Sequence, residues 1–536
     1  MKKLPIILAC LAGPGLLAGS NGTASSNAYD FTSRSIMNIS QTMPIDPMMY
    51  RMFNEHFIYD REEVEENKLK AKLKHLGKEA KCYLNVMAWG GATTNSTNIA
   101  RYLLPFGKTQ LKVREGYQLG TNPSVDTVNN QDIVAENFNI VTNQGNFCSY
   151  LDFKPKQSFA GVGFSGYFQI SNTFWLAFEL PIIHVKNNLD FVETVTFAGG
   201  GPVVPTNVAS TLGFDNTPFV ANMTAAFQNP NMKYGRIDGS QDHTAVAYVN
   251  LKAGYTYLYE PDRSLQVYGG VVLPTGNKPK SIYLFEPLVG NNKHFGIILG
   301  SFFTRQFQTR RFALDISVDS NTQFLFPNTQ VRSFDLAGKP WSRYLGIYAN
   351  NSQRLLDAAN GTFNSEMRYQ TWGINYFTQE VKVNPHFSTD LVFNFSFELP
   401  HTGALDLGFR CYWQQDEHVT LKNPWQATPL IGKLSDAQVN NPGECDPVRG
   451  INNMYYAMTD GNNLNQAIYV TQHQLDLSSC SQPFRSDYTM YAALHRIFDL
   501  KKIKGCGLQI GTNFTYASND SSANRWAVWI GAERYF

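Results

Sequence analysis

Eight charged residues stand at alternate positions within otherwise apolar stretches of the sequence. They are Glu179, Lys252, Asp315, Asp319, Glu398, Asp406, Arg410 and Glu533. If those stretches are strands, every second side chain points to the same face, and these charges would line it. Six acids and two bases on the wall of a water-filled pore would favour cations. The alternative is that the charges pair with one another across the interior and keep it hydrated.

Enzymatic chemistry has weaker support in the sequence. A lipase-like site needs a serine nucleophile beside a histidine. His184, His294 and His495 stand near the ends of apolar stretches, but none has a matched serine and orienting partner at recognisable spacing. The Asp416–His418 tripeptide could suggest a metal, although a solvated loop is the more ordinary interpretation. We therefore predict no catalytic residue, no cofactor and no metal.

Cysteine usage is compatible with an exported protein. Apart from Cys10, the cysteines are Cys82, Cys148, Cys411, Cys445, Cys480 and Cys506. An even number permits disulfides in an oxidising compartment. Cys445 and Cys480 fall within one predicted loop and form the best candidate pair. The spacing contains no CxxC signature of the kind that binds zinc.

Composition narrows the class of protein. Among 536 residues there are 45 Lys+Arg and 43 Asp+Glu, a balance that argues against a nucleic-acid partner. Charged residues make up 16% and aromatic residues 13%, with 37 Phe and 27 Tyr. Beyond the N-terminus no run of about 18 apolar residues occurs, so helical membrane spans are excluded. Few charges and many aromatics suit a barrel with lipid outside and water inside.

The positions of apolar residues repeat with a period of two after residue 81. In the clearest stretch Phe393, Phe395 and Phe397 alternate with polar residues, which is typical of a half-buried strand. Extending this pattern predicts a membrane-facing set of Phe393, Phe395, Phe397, Leu407, Phe409, Ile316, Ile510 and Phe514. Twelve strands are predicted, at 82–89, 158–170, 173–185, 249–257, 265–273, 295–305, 312–318, 391–399, 405–413, 488–498, 508–516 and 525–536. The fold class is all-β: a transmembrane antiparallel up-and-down β-barrel of about twelve strands, give or take two.

The links between these predicted strands alternate between short and long. The main long links are about 90–157, 186–243, 274–294, 320–387 and 415–487. Membrane barrels show this asymmetry, with short periplasmic turns and long extracellular loops. Residues 81–536 are therefore predicted to form the barrel, with every long link on the outside.

The N-terminal residues read as an export signal followed by an extension. Positively charged Lys2 and Lys3, an apolar core and small residues predict a signal peptide over 1–24. A short anchor, or a lipoprotein site at Cys10, is the alternative. Residues 25–80 form an extension with a predicted helix over 58–80, whose acids come first and bases last. This extension is either a periplasmic lead-in or a plug that enters the barrel.

The C-terminal strand carries a resemblance. Trp526, Val528, Ile530 and Phe536 share one face of the last strand, and the chain ends on the aromatic Phe536. This resembles the C-terminal signal that the outer-membrane barrel-assembly machinery recognises, although Arg534 replaces a usual apolar residue. The resemblance implies location in the outer membrane of a Gram-negative bacterium, with the assembly machinery and outer-membrane lipid as partners.

A second resemblance lies in two loop entries. The stretch Leu273–Gly276 reads Leu-Pro-Thr-Gly, and Gly290 and Asn291 precede His294 and a new strand. These are similar to the barrel family associated with aromatic-hydrocarbon degradation and to its hydrophobic-compound transporter relatives. The resemblance implies an uptake channel for small solutes, including hydrophobic or aromatic ones. An adhesin or structural barrel and an enzyme barrel are the alternatives, and the oligomeric state is left open.

Glycines on the predicted inner face bear on whether the lumen is open. They are Gly161, Gly163, Gly254, Gly270, Gly300, Gly408 and Gly511. Without side chains they would leave space for a conduit, or they would serve strand curvature. The sequence does not separate these two roles.

Overall fold

The structure is a computed structural model that describes fourteen stretches of the chain. They are residues 33–39, 43–47, 82–115, 132–144, 146–171, 173–202, 218–260, 262–308, 313–347, 371–399, 403–426, 430–431, 468–500 and 503–535. The predicted signal peptide, the predicted helix over 58–80 and Phe536 lie outside them. Among the described residues no helix is both long enough and apolar enough to cross a bilayer.

Twelve antiparallel strands close into one barrel. They are β1 (Cys82–Thr93), β2 (Lys156–Gln169), β3 (Phe174–Asn188), β4 (Val249–Glu260), β5 (Arg263–Leu273), β6 (Gly296–Gln308), β7 (Ala313–Leu325), β8 (Phe387–Leu399), β9 (Gly403–Gln414), β10 (Arg485–Leu500), β11 (Ile503–Ala517) and β12 (Arg525–Tyr535). Each strand pairs with its neighbours in sequence, and β12 pairs with β1 to close the ring. The predicted fold class and strand number are confirmed.

The two rims of the barrel differ. Short links join β2 to β3, β4 to β5, β6 to β7, β8 to β9 and β10 to β11, and we name this rim the short-turn end. The other links are longer, and we name their rim the long-loop end. A strand at Ser240–Val246 extends the pairing of β3 beyond β4 at that rim. The alternation of link lengths matches the sequence pattern.

The outer surface of the barrel is an apolar belt. On β11, Ile510 is 59% exposed, whereas its neighbour Gln509 is 2% exposed. On β9, Leu407 is 41% exposed and Asp406 is fully buried. Since successive side chains of a strand point to opposite faces, the exposed apolar residues face outward and the polar residues face the lumen. An apolar exterior with a polar interior is the arrangement of a membrane barrel.

The long loops pack into a structure of their own, which we name the loop cap. Its apolar core includes Ile99 and Leu103 of helix α1 (Ser96–Leu103), together with Phe227, Trp341 and Trp372. Two buried ion pairs stabilise it: Arg343 with Asp335 at 2.7 Å, and Arg332 with Glu417 at 3.2 Å. Buried charges need such partners, so the loop cap is a folded layer over the barrel mouth.

Candidate functional site: the barrel lumen

A segment that precedes the first strand lies inside the barrel. We name residues 33–39 and 43–47 the lumen segment. It begins in the loop cap, where the Ser33 hydroxyl donates to Asp335 at 3.0 Å. Further along, the carbonyl of Asn38 accepts from Gln482 and from Arg485, each at 3.0 Å. The chain therefore runs from the long-loop end down into the lumen.

The lower part of the lumen segment is held by one carboxylate. Asp46 accepts hydrogen bonds from the Tyr83 hydroxyl at 2.8 Å and from the Asn85 amide at 2.6 Å. Ser165 and Gln509 each donate at 3.4 Å. These donors come from β1, β2 and β11, and each is at most 3% exposed. Hydrogen bonds to a charged acceptor are stronger than neutral ones, so Asp46 fastens the segment to the wall.

Of the two alternatives for the extension of residues 25–80, the structure places part of it in the lumen. The lumen contacts belong to residues 33–39 and 43–47. The helix predicted over 58–80 lies outside the described residues. The sequence signal for the lumen contact was weak, because one Asp in a polar stretch has no distinctive spacing.

The inward glycines have a structural explanation that the sequence did not resolve. Five of them stand directly opposite an aromatic residue of the next strand, in the pairs Gly161–Trp89, Gly254–Trp175, Gly300–Tyr268, Gly408–Tyr491 and Gly511–Trp529. A Cβ at Gly254 would lie 2.1 Å from the Trp175 ring. The aromatic rings therefore lie flat against the wall in the space the glycines vacate. Gly163 is covered by Met43 of the lumen segment instead.

Two ion pairs on the wall include three of the predicted charged residues. The Lys252 ammonium lies 3.1 Å from Glu179, and Asn250 donates to the same carboxylate at 3.0 Å. Arg410 pairs with Asp390. The sequence prediction missed Asp390, although it lies on the same strand face as Val392 and Asn394, one residue before the predicted strand began.

The other predicted charges occupy different levels of the wall. Asp319 accepts a hydrogen bond from the Tyr268 hydroxyl at 2.7 Å. Asp315 and Asp406 are 2% and 0% exposed nearer the short-turn end, and Glu533 lies 2.9 Å from His495. Glu398 stands near the turn between β8 and β9 and is partly exposed. The charges therefore form several separate groups along the lumen.

A cavity of about 180 Å³ remains between the lumen segment and the wall. One side is formed by Asn38 and residues 43–46 of the lumen segment. The opposite side is formed by polar residues of β3, β4, β7, β8 and β9, chiefly Glu179, Asn250, Lys252, Asp319, Asn321, Asp390 and Arg410. A cavity of this size has room for roughly ten waters, so it can hold a small solute.

No protein-family model matches the chain, and no curated protein matches it. Solved structures of outer-membrane proteins align with much of its length. An outer-membrane channel from Pseudomonas putida F1 has 9% identity and a TM-score of 0.36, covering 85% of this chain and 95% of that one. A Pseudomonas aeruginosa FadL homologue has 8% identity, a TM-score of 0.27 and coverage of 85% and 90%. The CymD monoaromatic hydrocarbon channel has 7% identity, a TM-score of 0.24 and coverage of 87% and 90%. At these TM-scores the similarity is too low to indicate a function.

The histidines considered for catalysis have other contacts. His294 contacts the Phe326 carbonyl through Nδ1 and the Gln330 amide through Nε2, each at 2.8 Å. Burial lowers its pKa. His184 contacts Thr244 at 2.8 Å, and His495 contacts Glu533. None of these contacts is to a serine.

The residues of the suggested metal-binding tripeptide lie in different environments. Glu417 is 6% exposed and pairs with Arg332, whereas His418 is exposed. Within the described stretches no group of three His, Cys, Asp or Glu residues could hold a metal ion.

Cys480 is a buried thiol in the loop cap. Its Sγ donates to the Leu477 carbonyl at 3.1 Å, and burial raises its pKa to about 12. Cys445, its predicted disulfide partner, lies outside the described residues. The pairing therefore stays a prediction.

Proposed function

We propose that the chain is an outer-membrane channel for the passive uptake of small solutes, closed at rest by the lumen segment. The observation that carries this proposal is the cavity, lined by both charged and apolar side chains, beside a chain segment that belongs to no wall strand. The apolar outer belt and the export signal support a location in the outer membrane.

The cavity lining is mixed, with charged residues such as Glu179 and Lys252 beside apolar residues such as Met43, Val272 and Val392. Carboxylates, carboxamides and an ammonium group contribute to it, and its apolar side chains come both from the lumen segment and from the barrel wall.

Current through planar bilayers tests the proposal. The refolded full-length chain is compared with a variant lacking residues 33–47, and heat-modifiable gel migration checks that each preparation is a folded barrel. We expect small or infrequent currents from the full chain and larger, sustained currents from the deletion variant. If the folded deletion variant passes neither current nor solutes into liposomes, the channel proposal is wrong.

A surface role for the loop cap is the second candidate. The observation that favours it is the apolar core and the buried ion pairs of the cap, which make it a folded layer at the long-loop end. A rigid folded layer is suited to contact with other surfaces. Absence of conductance in the folded deletion variant, together with a protease-resistant cap, would favour this candidate over the channel.

A further inference from the structure

We propose that protonation of His294 at mildly acidic pH releases the upper part of the lumen segment and so opens the channel. This regulation deepens the channel function and rests on it. The connection is a set of buried side chains, which we name the His294 network: His294, Gln330, Arg332, Glu417, Gln482, Asn328 and Asn292. Three features carry the proposal: the fixed orientation of one amide, the tautomer of the imidazole, and two connections to Asn38.

The orientation of the Gln330 amide is fixed by its neighbours. Its side-chain oxygen accepts from the Nε of Arg332 at 2.9 Å and from one Nη at 2.6 Å. A guanidinium group can only donate, so the amide oxygen has to face it. The amide nitrogen then faces the other way, where it donates to the Asn328 side-chain oxygen at 2.9 Å. Its remaining hydrogen is shared with Nε2 of His294, 2.8 Å away.

This arrangement allows His294 only one tautomer. Nε2 accepts from Gln330 and carries no hydrogen, whereas Nδ1 donates to the Phe326 carbonyl at 2.8 Å. The ring is therefore neutral, with both nitrogens satisfied. A proton taken from solvent onto Nε2 would set two donors against each other. Turning the Gln330 amide would relieve that conflict but would point its nitrogen at Arg332, so opposed donors remain in either orientation.

The surroundings of His294 also disfavour the charged ring. Burial lowers its pKa most, and the charges of Arg332 and Lys278 act in the same direction. Glu417 acts in the opposite direction, but it is already paired with Arg332 at 3.2 Å. Lys293, the preceding residue, is exposed. A freed ring would have the ordinary pKa of about 6.5. The network is therefore intact above that pH and is weakened as the pH falls below it.

One chain of contacts joins Gln330 to the lumen segment through the loop cap. Arg332, which donates to Gln330, also pairs with Glu417. Glu417 accepts from the backbone N–H of Gln482 at 2.9 Å, and the Gln482 side chain donates to the Asn38 carbonyl at 3.0 Å. Removing the acceptor that Arg332 finds in Gln330 therefore disturbs the group that orients Gln482 toward Asn38.

A second chain reaches the same residue from the other side of Gln330. Asn328 donates to the Asn292 carbonyl at 2.9 Å, and the Asn38 amide donates to the Asn292 side-chain oxygen at 3.3 Å. Turning the Gln330 amide would set its oxygen against that of Asn328. Both chains would thus be disturbed at their common origin, and both end at Asn38. Protonation of one ring can therefore loosen the segment near the long-loop end.

Single-channel recordings of the folded full-length protein at about pH 7.5 and about pH 5.5 test the proposal. The ratio of open to closed channel should rise on acidification by up to about tenfold, the limit for release of a single histidine. His294→Gln can still donate to Phe326 and accept from Gln330 but does not titrate, so it should stay closed at both values. Gln330→Glu offers the protonated ring an acceptor and should reverse the direction of the effect. His473→Gln, the same change at an exposed histidine of the loop cap, should respond as the wild type does.

The regulation and the channel fail separately. An equal response to pH in wild type and His294→Gln overturns the regulation and leaves the channel standing, as does a conducting wild type with no response. Heat-modifiable gel migration checks that each variant is a folded barrel at both pH values. Hydrogen exchange of residues 33–47, corrected for the intrinsic effect of pH, does not depend on conduction. Faster exchange at the lower pH in wild type but not in His294→Gln, in a protein that never conducts, retains the His294 network as a switch and removes the channel.

Discussion

The carboxylate of Asp46 and the hydroxyl of Tyr83 are 2.8 Å apart and join a segment outside the sheet to the first barrel strand. Asn85 donates to the same carboxylate oxygen from the same strand face. The lumen is thus occupied by a segment whose lower end is held chiefly by hydrogen bonds to one side chain. A contact of that kind can be broken without disturbing the wall.

Replacing Asp46 should release the lumen segment. Asp46→Asn removes the charge and presents an amide nitrogen to donors, so at least one charge-assisted hydrogen bond is lost, at a cost of about 1.5–3 kcal/mol. We expect the ratio of open to closed channel to rise about tenfold or more in single-channel recordings. Asp242→Asn, an outward-facing residue near the rim, serves as the control. Unchanged gating in Asp46→Asn would show that the segment is held elsewhere.

Gly254 lies directly opposite Trp175, so we expect that a side chain at position 254 is not tolerated. A Cβ at Gly254 has no room beside the Trp175 ring, whereas a Cβ at the outward Gly269 meets nothing closer than 3.8 Å. Gly254→Ala should therefore lower the free energy of unfolding by about 1–3 kcal/mol. Gly269→Ala should change it little or raise it slightly. Denaturant titration of both variants in detergent checks this, and equal stability of the two would contradict it.

The outer belt predicts a depth-dependent cost of charge. Ile510 lies midway along β11, and Tyr516 lies on the same face near the long-loop end. Ile510→Arg should reduce the free energy of folding into lipid vesicles by about 2–4 kcal/mol, and Tyr516→Arg by about 0–1 kcal/mol. Equal costs at the two positions would mean that the belt is not centred in the bilayer as described.

Glu115 in the loop cap predicts a pH effect. Burial raises its pKa above the ordinary 4.5, and hydrogen bonds from Thr142 and Phe147 oppose this shift without cancelling it. Because the folded state holds the proton more tightly, the contribution to stability is complete below about pH 4.5 and is lost as the pH rises through the folded pKa. Glu115→Gln should reduce the dependence of the free energy of unfolding on pH over this range. An unchanged profile would exclude Glu115 as its source.

The assembly role of the terminal aromatic residue remains a prediction. Removing Phe536 should lower the yield of heat-modifiable barrel in cells, because the assembly machinery would lose its recognition residue. Arg534→Leu, which moves the strand toward the usual pattern, should assemble at least as well as the wild type. Normal assembly without Phe536 would remove the sequence argument for that signal.

The strands could largely be predicted from the sequence, and Phe395 and Ser396 show why. Phe395 and Ser396 differ in exposure, 37% against 0%, because lipid on one side and the lumen on the other impose a two-residue period. This requirement acts on each residue separately, so it produces an alternating pattern among neighbouring residues of the sequence. The first and tenth predicted strands, though weakly patterned, are present as β1 and β10 for the same reason.

The candidate site was harder to predict from the sequence than the strands were. Lys252 and Glu179 were both assigned to the inner face, but their pairing depends on the register of β3 against β4. Asp390 was overlooked because it follows the polar residues Ser388 and Thr389 at the strand entry. The inward glycines were noticed, but not the aromatic residues that cover them, since each pair joins different strands.

By itself the sequence determined the fold class, the number of strands and the alternation of long and short links. Those features follow from local periodicity and turn chemistry. Only the tertiary structure decided what occupies the lumen and which charges meet there. Asp46 and Gln509 are separated by 463 positions, and a hydrogen bond over that distance leaves no mark in the order of neighbouring residues. Closure of the barrel brings them together, and the lumen exists only once β12 has paired with β1.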